Sequence, residues 1–513
     1  MPAAPGPGTT SPGRTSSPGP ALALLAVTQF VLILDAAIVG VALPSIARQL
    51  HFTQSDLSWV TNGYALLFGG FLLLGGRLAD LLGRRRLFIG ALILFVVASG
   101  AAALSPSAGW LVAFRGLQGL TAAIASPAAL SLLLVVFPDG TDEEKAARGK
   151  ALGVWAAVGG AGGAVGYILG GVLTDLMGWQ SVFSVNVPIG LAAALLAARL
   201  LPAGAPTSRG GRFDVLGAAT VTAGLILVVY VTVDASTYGW TSARTIGLGA
   251  AAVALILLFL LVEARSRQPL VPLGIFRRRA LRGANLVGVL MPAAFTPTFF
   301  FLSLYTQFVY QYSPLRAGLA LLPIAVVIVA SAMNASKVLG RVSLRAGAGI
   351  GLLLVATGLF WLSRIGGHGY LVEIIGPEIL VGIGGGLAFV AVTVAGTSGV
   401  GPEESGLASG LLNTSQQVGG ALGLAALASI ATSATARHGG AGNTAGLTYG
   451  YHVAFAVATG VALVALLAAL VLLPGKARAA VENPEAAGAA PATDAPLLET
   501  GVGTGTDVPA PRS

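Results

Sequence analysis

Apolar runs long enough to cross a bilayer core as a helix, about 20 residues each, recur fourteen times between residues 21 and 473. Short loops rich in Pro, Gly or charge separate them. The chain has 513 residues, 55% hydrophobic and only 10% charged. A soluble globular domain carries roughly 25% charged residues. So little charge does not cover a water-facing surface, so lipid is the main solvent. The pattern predicts an all-α polytopic membrane protein. Residues 1–20 and 474–513 are rich in Pro, Gly, Ala and Thr without periodicity, and read as disordered tails. The first is no signal peptide: its only charge is Arg14, and the apolar run after it is too long.

Charge sets the orientation. Of the 29 Lys and Arg, 23 fall in alternate loops and the tails, for example Arg84, Arg85 and Arg86, or Arg277, Arg278 and Arg279. The opposite loops hold only Arg48, Arg244, Arg316, Arg364 and Arg437, and Arg115 lies inside a run. The positive-inside rule then puts both termini in the cytoplasm, with an even number of spans across the cell (inner) membrane. The net charge of +9 therefore orients helices and does not imply a nucleic-acid partner.

Several chemistries have no residues to carry them. Cysteine is absent, so there is no disulfide framework or thiolate site. No GxxxxGK[ST] or HExxH motif occurs. The histidines (His51, His368, His438, His452) are scattered. No enzyme, cofactor or metal is expected, and an ion gradient is the expected energy source.

The first run, 21–44, carries one charge, Asp35. An ionisable group at that depth costs several kcal/mol, roughly 3 on insertion scales, and faces the bundle interior or a wet cavity. The plain alternative is a structural Asp that caps or pairs with a neighbouring helix. Arg115 lies in the fourth run. Counted from the outer end at about 1.5 Å per residue, Arg115 and Asp35 sit about 8 and about 13 Å deep. They can meet across the bundle, and a desolvated Arg needs such a partner. Glu378, after Pro377 in the twelfth run, is a second candidate proton or cation site. The alternative there is a later helix start, with Glu373 and Glu378 near the surface. Gln29, Gln118, Asn285, Gln307 and Asn413 are polar groups inside apolar runs. They line a substrate cavity or bridge helices.

In the fifth run Gly159, Gly163, Gly166 and Gly170 recur at helical spacing, which puts small residues on one face for close backbone approach. Asp80 ends the second run among arginines, beside Gly83, Arg84 and Arg85.

Five segments together resemble the major facilitator superfamily, and within it the fourteen-helix drug:proton antiporter branch. They are 34–44 (LDAAIVGVALP), 76–86 (GRLADLLGRRR), 115–119 (RGLQG), the glycine-rich fifth run followed by Trp179 and 186–190 (NVPIG), and 413–420 (NTSQQVGG). The branch has Gly-Pro where this chain has Gly166-Tyr167. The resemblance implies two six-helix bundles, 21–201 and 283–473, with two inserted helices in 202–282. It implies proton coupling at Asp35 and Arg115. It also implies a conformational latch in which Asp80, with Gly83, Arg84 and Arg85, faces the start of the thirteenth span near Ser405. The glycine face of span five is expected to seal the bundle against leak. The expected function is proton-coupled export of organic, amphipathic toxic compounds or antibiotics by a monomer in a lipid bilayer. An importer of the same fold and a non-transport membrane sensor are the alternatives.

Overall fold

A computed structural model describes residues 18–475, apart from 54–55, 139–140, 203–213, 267–268, 270, 272, 367–368 and 399–401. Both terminal tails lie almost wholly outside the described residues. Every regular element among the described residues is helical. The long helices are α1 (Pro18–Leu50), α2 (Ser58–Leu82), α3 (Arg84–Ala103), α4 (Ala108–Val136), α5 (Asp142–Met177), α6 (Asn186–Leu200), α7 (Val215–Tyr238), α8 (Ala243–Arg265), α9 (Arg279–Phe308), α10 (Leu322–Leu339), α11 (Leu344–Leu362), α12 (Ile375–Thr397), α13 (Pro402–Arg437) and α14 (Thr444–Leu472). Short helices Ser181–Ser184 and Pro314–Ala320 lead into α6 and α10. Among the described residues, 12 helices are long and apolar enough to cross a membrane. The chain is thus a multi-pass membrane protein. Helices α2 and α5, of 25 and 36 residues, fall outside that set, so the expected count of fourteen spans is met for twelve.

Local chemistry sets the helix ends. Side chains of Ser107, Asp214, Ser242, Ser313, Ser343 and Asn443 accept N-terminal backbone N–H groups. Thr141 and Glu144 form a capping box at α5. Helix α1 starts at Pro18, inside the expected tail, because Pro18 and Pro20 occupy a first turn whose N–H groups have no helical partner. Gly83 alone joins α2 to α3, at φ +92°, a conformation that side chains resist.

The packing repeats. In α1–α6 the main pairs are α1 with α5, α2 with α4, α3 with α4, α3 with α6, and α1 with α4 and α6. Eight helices later the same pairs recur: α9 with α13, α10 with α12, α11 with α12, α11 with α14, and α9 with α12 and α14. Between these two sets run three seams: α1 on α9, α2 on α13, and α5 on Pro314–Ala320 and α10. Helices α7 and α8 pair with each other, and α7 lies against both α2 and α13. Helix α8 presents Val253, Leu257, Leu258, Leu260 and Leu261 outward. Lipid tails suit such a surface and water does not.

The helix ends carrying Arg84–Arg86 and Arg277–Arg279 form the basic end of the bundle; the opposite end is the far end. At the far end the two sets close tightly. Ser303 Oγ donates to the Gly40 carbonyl at 2.8 Å, and Gln307 Nε2 donates to the Val41 carbonyl at 3.0 Å. The Tyr167 and Phe299 rings stack, with centroids 5.3 Å apart and planes 8° from parallel.

Candidate functional site

Asp35 is buried at the centre of a polar cluster built from five helices. Arg115 Nη1 on α4 donates to Asp35 Oδ2 at 2.7 Å. Asp35 Oδ1 accepts from Gln118 Nε2 at 3.1 Å and from Asn186 Nδ2, on α6, at 2.6 Å. Ser99 on α3 accepts from Gln118 at 2.7 Å. Arg115 is held further: Nε donates to the Val60 carbonyl on α2 at 3.0 Å, Nη1 to Gln118 Oε1 at 3.1 Å, and Cζ lies 4.6 Å from the Tyr64 ring centroid. A buried ion pair holds only where further hydrogen bonds satisfy both partners, and here they do. Three donors on one carboxylate stabilise its charge.

The opposite face of α1 does something different. Ile33, Ala36, Ala37 and Gly40 line a cavity of about 270 Å³ between the two helix sets, with Thr61, Gly163, Tyr167, Thr296 and Phe299. A second cavity, about 320 Å³, adjoins it through Phe295 and Thr296 and includes Phe389, Asn413, Gln416 and Gln417. Among the described residues, no charged side chain lines either. Of the polar residues expected in a cavity, only Asn413 is there. Gln118 belongs to the Asp35 cluster. Gln29 accepts from Ser126 at 3.0 Å, joining α1 to α4. Asn285 accepts from Ser415 at 2.8 Å, joining α9 to α13. Gln307 closes the far end. Each of these amides bridges helices in this structure, because an amide inside lipid-facing helices takes the nearest carbonyl or hydroxyl.

The glycine face of α5 needs a correction. A Cβ on Gly166 would lie 2.7 Å from Ala37 Cβ and one on Gly170 would lie 2.4 Å from the Ile38 carbonyl, so both sit at a close crossing with α1. Gly162 shares that crossing, against Ile33 and the Phe30 carbonyl. Gly163 does not: a Cβ there meets nothing within 4 Å, and it lines the cavity instead. The packing row is 162–166–170, one residue round from the one expected. The Gly159 position lies outside the described side chains.

Glu378 is buried in the first turn of α12, which starts at Ile375, later than the sequence pattern suggests, and Glu373 just before it is also buried. At the basic end, the side chain of Asp80 and those around Ser405 lie outside the described residues. Arg85 donates to the Ala198 carbonyl in the last turn of α6, within its own helix set.

A sequence model described as the Major Facilitator Superfamily matches residues 25–424. The chain belongs to the major facilitator superfamily. It is 38% identical over 472 residues to the puromycin resistance protein pur8 of Streptomyces alboniger, covering 90% of this chain and 92% of that one. It is 39% identical over 474 residues to the cephamycin export protein CmcT of Amycolatopsis lactamdurans, covering 91% and 94%. A bacterial homologue of the human lysosomal transporter Spinster, solved inward-facing and unoccupied, superposes with a TM-score of 0.66 at 15% identity, covering 90% of this chain and 98% of that one. This facilitator is a transporter, not an enzyme.

Two parts of the facilitator's site come only from the fold. Asn186 and Ser99 are ordinary polar residues in apolar runs; only the meeting of α3 and α6 beside α1 gives them Asp35. Asn186 did stand in one of the quoted motifs. In the sequence Tyr167 is only a departure from Gly-Pro, and the fold makes it an aromatic wall of the cavity.

Proposed function

We propose that this facilitator exports toxic organic compounds from the cytoplasm in exchange for protons. The observation that carries the reading is the two-faced α1. One face holds Asp35 in the polar cluster; the other lines the apolar cavity between the helix sets. A proton on Asp35 removes the charge that holds Arg115, Gln118 and Asn186, and α1 then shifts its cavity face. Proton and substrate thus act on one helix, and only a differential contact of this kind lets one ligand bias the other. The names of the relatives, resistance and export, favour outward transport over uptake.

The cavity walls suggest the cargo: amphipathic compounds with an apolar body and few polar groups, met by Thr61, Thr296 and Asn413. The bundles 21–201 and 283–473 rock about this cavity as a monomer in the cell membrane, with α2 and α5 also spanning, fourteen spans in all, and both termini in the cytoplasm. The far end, closed here, is the outer gate. Cells expressing the protein are expected to accumulate less of a lipophilic antibiotic or dye than control cells, and a protonophore to erase the difference. Equal accumulation across a broad panel, or a difference that survives the protonophore, contradicts the reading.

A further inference from the structure

We propose that Glu378 is a second proton-binding site, in the helix set that lacks Asp35, and that the Tyr370 hydroxyl gates it. The site deepens the proposed proton coupling and rests on that reading for its role in transport. The two acids have opposite surroundings. Asp35 accepts three donors. Glu378 is equally buried, and neither of its oxygens has a hydrogen-bond partner among the described residues. A bare carboxylate away from water costs far more than a neutral carboxyl, so this pocket suits the acid with its proton on.

Tyr370 lies beside the carboxyl, but its one proton goes to the Ala320 carbonyl at 2.8 Å. It therefore offers Glu378 lone pairs only. Ala320 ends the short helix Pro314–Ala320, which takes its place from α5. A Cβ on Gly318 would lie 2.4 Å from the Tyr167 carbonyl, and one on Gly171 would lie 2.8 Å from the Pro314 carbonyl. When the far end opens, that short helix loses its support on α5. Tyr370 then turns its hydroxyl from Ala320 to Glu378 and donates to the carboxylate. The carboxyl O–H bond breaks, the proton leaves to the far-end solvent, and no electron changes hands. Closure reverses each step.

Among the described residues, several other titratable groups lie close by, Tyr305 beside Tyr310 and Glu373 among them. Glu373 accepts from Tyr310 at 2.9 Å and from the Gly366 N–H at 2.7 Å, which anchors the short helix Tyr370–Glu373. Burial raises the Tyr310 phenol, and its bond to Glu373 raises it further, so it stays a donor. Tyr312 lies near Tyr370, His452 on α14 faces Glu373, Arg364 is exposed over the Phe360 ring, and Arg316 is exposed. Helices α9, α10 and α11 meet this stretch of α12 through Phe295, Val327 and Gly358. Helix α12 matches α4 in the repeated packing, so each set carries a charged or titratable group on the matching helix.

Acid-minus-alkaline infrared difference spectra of the purified full-length protein in liposomes test the site. The carbonyl stretch of a buried protonated carboxyl is expected in the wild type, retained in Asp35→Asn, lost in Glu378→Gln and shifted in Tyr370→Phe. If Glu378→Gln does not fold, Glu378→Asp gives the same test through a shift of the band. An unshifted band in the Glu378 variants, or no such band in the wild type, overturns the proposal. Because the spectra use no substrate, a failure of export leaves their outcome intact, and the two readings fail separately.

Discussion

Asp35→Asn is expected to abolish proton-linked efflux. Asn keeps the volume of the side chain but removes both the charge and the titratable proton. Gln118 and Asn186 can still donate to the amide oxygen, but Arg115 loses its counter-charge at a buried site. Removing one partner of a buried ion pair typically costs about 3–5 kcal/mol, so the variant is expected to melt well below the wild type. Asp35→Asn with Arg115→Gln removes both charges and should recover much of the stability, but no efflux. Thermal melts of the wild type and the two purified variants, beside efflux from cells, separate the two effects. Efflux that persists in Asp35→Asn with its dependence on external pH intact would make Asp35 a structural residue.

Gly170→Leu is expected to remove transport by a different route. Its Cβ would lie 2.4 Å from the Ile38 carbonyl, a contact with backbone that no rotamer relieves. Helices α1 and α5 must separate, and overpacking costs typically about 1–3 kcal/mol even in soluble cores. The damage falls on the helix that joins Asp35 to the cavity, so coupling fails together with packing. Gly163→Leu is the internal contrast. Its side chain enters open space, so the protein should fold and reach the membrane, while a narrowed cavity changes which compounds it exports. Efflux profiles over a compound panel, with membrane yield as the control, read both. Normal transport in Gly170→Leu would mean that the α1–α5 crossing is looser than it is here.

The contrast also shows what the sequence could and could not carry. Run lengths and loop charges were enough for the helices, because lipid leaves a chain few ways to satisfy its backbone. The depths of Asp35 and Arg115 put them within reach of each other, and they pair at 2.7 Å. The glycine rows 162–166–170 and 159–163–166–170 differ by a small turn of one helix. Spacing alone does not choose between them, since the choice depends on where α1 lies. Amides such as Gln307 and Asn285 have two fates, cavity or bridge, and the deciding carbonyl or hydroxyl sits on a helix far away in the chain. Position 167 was a departure from a motif in the sequence; in the fold it stacks on Phe299 across the two helix sets.

Flux in proteoliposomes tests the central claim most directly. The purified protein is reconstituted without nucleotide, a proton gradient is imposed, and a lipophilic compound exported by expressing cells is followed across the membrane. The account predicts movement of the compound against the proton flow, collapse of that movement with a protonophore, and none in Asp35→Asn vesicles. Movement that requires ATP and ignores the gradient, or that runs with the protons instead of against them, would contradict it.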